Sequence, residues 1–414
     1  MPLETLHDGI EGLADAKMPI PGSVWPSPTI RRVVLKNFKS IEACDVPLSR
    51  LTLLVGPNGS GKSNFIDGIR LTRDALQTNL ENAIRDRGGI VDVRRRSTGH
   101  PTHFGVRYDI DTPSGHAEYA YQVSAKKDFT FEVQKEVCRV YRREELVASF
   151  QSVDGVISST GPSLATVRVA RNSLALSVIG GLTEYEEVAV GLRDFGFYNF
   201  NPNHVRDLQS PDMGEILTED GSNLASVIRR LREMSPRSLD RVTEYLGAVV
   251  PGIRSIAPRS FGPKETVEFK QDVVGDQRAW SFLASNVSDG TLRALCVLVA
   301  AFQENTPLVS IEEPETAVHP GAAHRLMDAL LERSKKHQLL LTTHSPDLLD
   351  HPSIDVDSVL AVQSDRGKTT IGQVDPATRM AAKENLYTVG ELLRLEQVKP
   401  DVFAKTTQKP ASLF

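Results

Sequence analysis

The sequence predicts an α/β fold in which a central mixed or parallel sheet is flanked by helices. Three apolar runs favour it, because buried parallel strands are almost continuously hydrophobic. Leu51–Val55 ends at a glycine-rich turn, Leu308–Ile311 ends in two acidic residues, and Gln338–Thr343 ends at His344. Polar residues that follow parallel strands share one edge of the sheet. We therefore expect the chemistry of this chain at that edge.

Composition describes an ordinary globular protein, with 40% hydrophobic and 24% charged residues. At 414 residues the chain is long enough for a large core and more than one lobe. The net charge of −5 gives no global basic signature, so any contact with nucleic acid must come from a local basic patch. Cys44, Cys138 and Cys296 are far apart in sequence, which favours a reducing compartment without disulfides.

No targeting or membrane segment is expected. Residues 1–28 are rich in Pro and Gly and are interpreted as an N-terminal extension without a secretory signal. The longest apolar stretch, Ala294–Phe302, is too short to span a bilayer. A cytoplasmic protein without a membrane partner is therefore predicted.

The turn after the first apolar run matches the phosphate-binding pattern G-x-x-x-x-G-K-[ST], placed between a predicted strand and a predicted helix. Its glycines let backbone amides approach phosphate oxygens, and the following helix directs free N–H groups at the same anion. Lys62 is expected to neutralise the β- and γ-phosphates, and the Ser63 hydroxyl to bind Mg²⁺. The predicted nucleotide-binding residues are Gly56, Pro57, Asn58, Gly59, Ser60, Gly61, Lys62, Ser63 and Asn64.

The fold is predicted to begin at Thr29, with strands at Ile30–Leu35 and Ile41–Leu48. Residues 35–64, LKNFKSIEACDVPLSRLTLLVGPNGSGKSN, resemble the start of ABC-type ATPases of the RecF, Rad50 and SMC kind. They are especially similar to stand-alone AAA-family ATPases of bacteria, which include relatives of the OLD-family ATPase domain. The resemblance implies an ATP-binding, ABC-type P-loop NTPase. It also implies that the turn Asn37, Phe38 and Lys39 approaches the adenine and ribose.

The acidic end of the second apolar run is expected beside the phosphates. Glu312 suits the Walker B acid that holds Mg²⁺ through water, and Glu313 suits the general base that orients the attacking water. Most ABC proteins have Asp at the first of these positions, and Glu is one methylene longer. The alternative is a pair of surface acids that end a strand.

Three further motifs follow the order of the family. Ser288, Asp289 and Gly290 precede an apolar helix and resemble the ABC signature, which implies contact with the γ-phosphate of an ATP held by another subunit. An ordinary helix N-cap is the alternative. Residues 315–320, ETAVHP, resemble the D-loop that contacts the opposite subunit, and His344 resembles the switch histidine. The predicted catalytic residues are therefore Glu313, Lys62 and His344.

The remaining domain is interpreted as residues 29–414, in lobes of 29–160, 161–275 and 276–414. In the first lobe, the helix after the P-loop is expected to continue through Ala75–Arg87. The rest of this lobe should be β-rich, because alternating runs predict strands at His103–Asp111, His116–Ala125, Phe129–Val140 and Leu146–Val156. The second should hold a helix at 165–190, a strand at 192–200, and helices at 224–234 and 238–249.

Other features leave alternatives open. Arg94–Arg96 could meet phosphate or a partner, or form a solvated loop. Gln209 is the lone candidate for the nucleotide-sensing Q-loop residue. Residues 64–287 contain no heptad run of four or more repeats, so no coiled-coil arm is expected. Residues 345–414 hold only scattered acids, so no Toprim nuclease domain is expected.

The resemblance implies a Mg²⁺-dependent ATPase switch, in which a homodimer sandwiches two ATP molecules; a higher oligomer stays open. By family analogy it is the ATPase subunit of a bacterial anti-phage defence or DNA-repair system that controls a separately encoded effector, such as a nuclease. An ATPase that energises a transporter is the first alternative, and the non-LSGGQ signature argues against it. A scaffold that holds ATP without hydrolysis is the second, and Glu313 argues against it.

Overall fold

The computed structural model describes residues 27–97, 101–162, 164, 167–276, 278–304, 306–401 and 412–414. Nearly all of the predicted N-terminal extension lies outside these residues. The described strands form two sheets, one of thirteen strands and one of three. No helix within the described ranges is long and apolar enough to cross a membrane.

The strands are numbered in chain order. They are β1 (Thr29–Phe38), β2 (Ile41–Pro47), β3 (Leu51–Val55), β4 (His103–Thr112), β5 (Gly115–Ala125), β6 (Phe131–Arg142), β7 (Glu145–Val153), β8 (Val156–Thr160), β9 (Gly196–Tyr198), β10 (Ile253–Phe261), β11 (Lys264–Gln271), β12 (Trp280–Leu283), β13 (Leu308–Glu312), β14 (Gln338–Thr343), β15 (Val359–Asp365) and β16 (Lys368–Gln373).

The helices flank these sheets. They are α1 (Lys62–Gln77), α2 (Leu80–Arg85), α3 (Ile90–Val93), α4 (Leu176–Ile179), α5 (Glu186–Arg193), α6 (Pro202–Arg206), α7 (Leu224–Met234), α8 (Pro236–Val249), α9 (Asp289–Phe302), α10 (Pro320–Ser334), α11 (Pro346–Leu349), α12 (Pro376–Lys383) and α13 (Val389–Arg394).

The large sheet is mixed, as the sequence predicts. Its order is β8-β7-β6-β5-β4-β1-β2-β16-β15-β3-β14-β13-β9. The strands from β15 to β9 pair in parallel, whereas those from β8 to β2 pair in antiparallel fashion. The β-rich region, strands β4 to β8, is therefore an extension of the same sheet, called the wing below. It joins the rest of the sheet where β4 pairs with β1, with Val33 opposite Tyr108.

The strand β3 lies at the centre of the parallel region, and all five of its residues are buried. Leu54 belongs to the apolar cluster that includes Phe65 and Ile69 of α1. Leu53 and Val55 belong to a second cluster, which α7 to α10 build on the other face of the sheet. A strand covered on both faces favours apolar residues, and four of its five residues are apolar; Thr52 is the exception, and its hydroxyl accepts from the Ser49 amide at 3.0 Å.

Two predictions for the second lobe are wrong. Residues 165–190 do not form one helix, because Gly180-Gly181 separates α4 from α5. Within residues 192–200 the strand is only Gly196–Tyr198, since α5 continues to Arg193. The predicted continuation of the P-loop helix through 75–87 is also interrupted. There the Asn79 side chain caps α2 by accepting from the Asn82 amide at 2.7 Å.

The three-stranded sheet β10-β11-β12 is a feature that the sequence reading missed. Pro258 lies within β10, and a proline inside a run normally argues against a strand. The pairs along β10 and β11 place Arg259 opposite Thr266 and Ala257 opposite Glu268, so the strands lack an apolar alternation that is easy to recognise.

A buried carboxyl group fastens the wing to α4. Glu136 of β6 is 0% exposed and accepts hydrogen bonds from the backbone amides of Ala175 and Leu176 and from the Tyr119 hydroxyl. Burial raises its pKa from 4.5 to about 7, although these hydrogen bonds act in the opposite direction. The folded chain therefore keeps a proton on Glu136 at pH values where the unfolded chain has released it.

This proton predicts a pH dependence of stability. Because the pKa of Glu136 is higher in the folded state, its contribution is complete below about pH 4.5 and is lost as the pH rises through about 7. The difference in free energy of unfolding between wild type and Glu136→Gln should shrink by up to about 3 kcal/mol between about pH 5 and pH 8. Urea unfolding at both pH values measures it. Glu145→Gln, at an exposed position, is the control, and a pH-independent difference contradicts the assignment.

Candidate functional site

The glycine-rich loop lies between β3 and α1, and its glycines are required by shape. Gly59 and Gly61 have φ values of 75° and 105°, in the left-handed region that glycine alone adopts readily. A Cβ atom on Gly56 would lie 2.1 Å from the Val362 carbonyl oxygen. One on Gly61 would lie 2.1 Å from the Thr369 hydroxyl. The loop therefore rests directly on β15 and β16.

Lys62 begins α1 and folds back over this loop. Its ammonium group donates to the carbonyl oxygens of Gly56 at 2.7 Å and Pro57 at 3.1 Å. Burial lowers the pKa of Lys62, while the carboxylates of Glu313, Glu315 and Glu312 act to raise it. Lys62 is therefore a cation held against the loop, within electrostatic reach of three acids.

Ser63 and Glu312 meet across the sheet edge, because β3, β14 and β13 are adjacent and parallel. The Ser63 hydroxyl donates to the Glu312 carboxylate at 2.7 Å. A hydroxyl and a carboxylate are oxygen donors of the type that Mg²⁺ prefers. Both side chains line an open groove of about 200 Å³, whose lining consists of Asn58, Gly59, Ser60, Gly61, Lys62, Ser63, Asn64, Glu312, Glu313 and Thr342.

The donor set and the loop fit a magnesium nucleotide. The Ser60 hydroxyl is buried and has no hydrogen-bond partner among the described residues. The start of α1 offers free amides and the positive end of its dipole. A bound Mg²⁺ at Ser63 and Glu312 would neutralise phosphate charge there.

Glu313 occupies a strained turn immediately after β13. Its φ is 46°, a left-handed conformation that costs a residue with a side chain roughly 1–2 kcal/mol. Its amide donates to both the carbonyl and the hydroxyl oxygen of Thr342, each at 3.1 Å. Its carboxylate lies 3.0 Å from Nδ1 of His344. The turn therefore places Glu312 and Glu313 in the groove lining and Glu313 against His344, which within the described residues adjoins the groove only through this contact.

Glu315, predicted only as part of the D-loop-like segment that contacts another subunit, has polar contacts within its own chain beside this site. Its side chain is 9% exposed, and it accepts a hydrogen bond from the Thr343 hydroxyl at 2.5 Å. Burial raises its pKa. Because Glu315 follows Glu312 by only three residues in the sequence, its place beside the site could have been predicted.

The signature-like segment lies away from the groove of its own chain. The Ser288 side chain caps α9 by accepting from the Thr291 amide at 3.3 Å, which is the N-cap alternative. Arg206 pairs with Asp289 and donates to the Val287 carbonyl oxygen at 3.1 Å. None of Ser288, Asp289 and Gly290 lines the groove among the described residues.

The signature-like and D-loop-like segments are in direct contact. A Cβ atom on Gly290 would lie 2.1 Å from the carbonyl oxygen of Ala317. Ala317 lies in the 315–320 segment and itself has a φ of 64°. The two segments therefore form one continuous surface of the chain.

The position of Phe38 shows that its predicted contact with the adenine and ribose is wrong. Its side chain is 0% exposed and packs edge-on against Phe104, with ring centroids 6.0 Å apart, so it belongs to the core and cannot face a nucleotide. Asn37 and Lys39 flank it with positive φ values, and Lys39 pairs with Asp67 of α1 at 2.7 Å. Neither Asn37 nor Lys39 lines the groove.

The arginine cluster after α3 holds this turn in place. Arg95 donates through its backbone amide to Asn37 and through its guanidinium to the Ser40 carbonyl oxygen, each at 2.7 Å. Arg94 donates to the Pro101 carbonyl oxygen at 3.0 Å, and Arg96 pairs with Asp92. All three guanidinium groups therefore have partners within the chain.

Gln209 is a structural residue. It is 4% exposed, and its side chain accepts from the Ala225 amide at 2.9 Å and donates to the Gly221 carbonyl oxygen at 3.3 Å. A polar residue closer to the groove is Asn199, which directly follows β9, the strand beside β13. Asn199 lines a small cavity together with Ser63 and Glu312. Its place directly after an apolar strand is the sequence signal that was missed.

The chain matches the family model described as "AAA domain, putative AbiEii toxin, Type IV TA system" over residues 51–350, well over half of its length. It therefore belongs to this family of AAA domains. It is an ATPase domain of the AAA/ABC type found in RecF, SMC and OLD proteins. The residue roles predicted above are not part of that assignment.

Short stretches match curated relatives. The chain is 45% identical over 42 residues to the OLD nuclease of Thermus scotoductus, and 51% identical over 43 residues to the chromosome partition protein Smc of Methanocaldococcus jannaschii. It is 42% identical over 43 residues to the DNA replication and repair protein RecF of Vibrio campbellii. These stretches are 10% of this chain and 8%, 4% and 12% of the respective relatives.

Solved structures share the fold. An Smc head bound to the C-terminal winged-helix domain of ScpA superposes with a TM-score of 0.54 at 15% identity, covering 85% of this chain and 99% of that one. An Smc head with an extended coiled coil, from Pyrococcus furiosus and bound to the C-terminal domain of ScpA, gives 0.54 at 15% identity over 87% and 100%. The fold is therefore that of an ABC-type ATPase head, as the sequence predicts.

Proposed function

We propose that this chain is an ATP-hydrolysing switch that closes as a homodimer around two magnesium–ATP molecules. The observation that carries the proposal is the meeting of three motifs at one groove. The Ser63 hydroxyl lies 2.7 Å from Glu312, and the Glu313 carboxylate lies 3.0 Å from His344 beside the Lys62 loop.

Each side chain has a chemical task in this proposal. Lys62 and the loop amides bind the triphosphate, and Ser63 and Glu312 hold Mg²⁺. Glu313 accepts a proton from the attacking water, and His344 orients the Glu313 carboxylate while its ring faces the terminal phosphate. The strained turn at Glu313 supports this assignment, because such strain concentrates where a side chain must be aimed.

The dimer is supported by the position of the signature-like segment. Ser288 and Gly290 lie outside the groove of their own chain, next to the D-loop-like segment. A second copy related by two-fold symmetry would present this surface to the first copy's groove, and each site would be composite. ATP binding then stabilises the closed pair through contacts that hydrolysis removes.

We further propose that the switch acts in the cytoplasm, in DNA repair or anti-phage defence, and controls a separately encoded effector. The family description names a toxin of a type IV toxin–antitoxin system, and the curated relatives include a nuclease and a DNA replication and repair protein. These names suggest a nucleic-acid signal as the trigger.

Glu313→Gln tests the enzyme assignment. The variant keeps the shape of the side chain but cannot take a proton, so phosphate release should fall by about a hundredfold or more while ATP binding persists. Malachite-green phosphate assays and calorimetric ATP titration measure the two quantities. Glu384→Gln, at an exposed position, is the control. Equal phosphate release from wild type and Glu313→Gln contradicts the assignment.

Mixing two inactive variants tests the composite site. Lys62→Ala damages the loop, and Ser288→Arg damages the surface offered to the other chain, so each alone should hydrolyse little ATP. With random assortment, half of the dimers are mixed and each retains one intact site, so roughly one quarter of wild-type turnover should return. Mixtures that stay inactive, although the two variants form mixed dimers with ATP in analytical ultracentrifugation, contradict composite sites.

Duplex DNA with free ends is expected to increase phosphate release by about twofold or more, since a DNA-linked switch must respond to its signal. Relaxed closed-circular DNA at the same nucleotide concentration is the control. The rate should be measured at low and physiological salt, because phosphate contacts weaken with ionic strength. A rate unaffected by either DNA under both conditions contradicts a direct DNA trigger.

A further inference from the structure

A relay of hydrogen bonds connects the glycine-rich loop and the start of α1 to the turn between β1 and β2 and to β16. The Asn64 side-chain nitrogen Nδ2 donates to the Ser40 hydroxyl at 2.7 Å. The Ser40 and Thr369 hydroxyls lie 2.7 Å apart, and the Thr369 hydroxyl donates to the Ser60 carbonyl oxygen at 3.0 Å. Thr369 is 2% exposed, so water does not replace these bonds easily.

The direction of every proton in the relay is fixed. The Asn64 nitrogen can only donate, and the Ser60 carbonyl oxygen can only accept. Each hydroxyl carries a single proton, so Ser40 must donate to Thr369, and Thr369 must donate to Ser60. Removal of either hydroxyl therefore leaves a buried polar partner without its hydrogen bond, which costs more than the bond itself contributes.

Thr369 also limits the shape of the loop. A Cβ atom on Gly61 would lie 2.1 Å from its hydroxyl oxygen and 2.7 Å from its methyl carbon. Gly61 is the N-cap of α1; it provides no side-chain cap, and its carbonyl oxygen accepts a hydrogen bond from the Phe65 amide at 3.1 Å. Thr369 therefore holds this part of the loop through two contacts, its packing against Gly61 and its hydrogen bond to the Ser60 carbonyl oxygen.

The two hydroxyl residues of the relay lie outside the groove lining, whereas the two residues at its ends belong to it. Thr369 and Ser40 are absent from the groove, whereas Ser60, Gly61 and Asn64 line it. The strand order β2-β16-β15-β3 places Thr369 beside Ile41 at the back of the loop. Ser40 is also held through its carbonyl oxygen by Arg95, at 2.7 Å.

We propose that Thr369 is a positioning residue that fixes the loop in its phosphate-binding conformation, with Ser40 as its anchor. This inference rests on the proposed nucleotide site. The ligand class is a nucleoside triphosphate, and Thr369 acts on it only through Ser60 and Gly61. Its loss should weaken ATP binding, whereas the proton transfer assigned to Glu313 is left intact.

Thr369→Val and Thr369→Ser test the proposal as a pair. Valine keeps the shape but lacks the hydroxyl, so the dissociation constant for ATP and the KM should rise about five- to tenfold, with kcat changed less than about twofold. Serine keeps the hydroxyl, so ATP affinity should return to within about threefold of wild type. Thr370→Val, on the same strand but with its side chain on the opposite face, is the matched control and should bind ATP as wild type does.

Amide hydrogen exchange of the peptide that covers residues 56–63 gives a readout without nucleotide. Exchange should be faster in Thr369→Val than in Thr370→Val, and Ser40→Ala should act in the same direction. If wild type fails to bind ATP but exchange responds this way, the nucleotide proposal fails and the positioning role stands. If wild type binds ATP and both Thr369→Val and Ser40→Ala bind it equally well, the positioning role is overturned.

Discussion

The burial of β3 between β14 and β15 is the constraint on which the site depends. All five residues of this strand are buried, and each face enters a different apolar cluster. Parallel pairing with β14 and β15 fixes where the strand ends. Because β13 pairs with β14 in the same direction, Glu312 ends beside the loop that follows β3. One packing arrangement therefore sets the position of a cation-bearing loop and a pair of acids.

The parts of the site that could be predicted from the sequence are those formed by residues adjacent in the chain. A strand, a glycine turn and a helix start are local patterns, and so is a strand that ends in Glu312 and Glu313. Their meeting at one edge followed from the general behaviour of parallel strands. Phe38 shows the limit of resemblance, because the same turn that lies near the loop places this side chain in the core.

The rest depends on contacts between distant parts of the chain. Gly61 requires glycine because Thr369 lies against it, and only the strand order brings the two together. Asn199 was obscured because the short strand before it was read as too long, and Gln209 was considered only as the lone glutamine. The helix predicted over 165–190 is interrupted at Gly180-Gly181, although the residues on either side favour a helix. The β10–β12 sheet was not predicted because Pro258 argues locally against a strand that tertiary packing nevertheless forms.

The continuity of the thirteen-stranded sheet has a mechanical consequence. The antiparallel wing has no linker between itself and the parallel region, because β1 pairs with β4 on one side and with β2 on the other. A force applied at β8 would have to pass to the parallel region through the main-chain hydrogen bonds between successive strands, without a flexible linker to absorb it. An object bound at the far edge of the wing would therefore pull on the backbone of Asn37–Ser40, the turn that anchors Thr369. The wing is therefore connected, from its far edge and through main-chain hydrogen bonds, to the turn behind the phosphate loop.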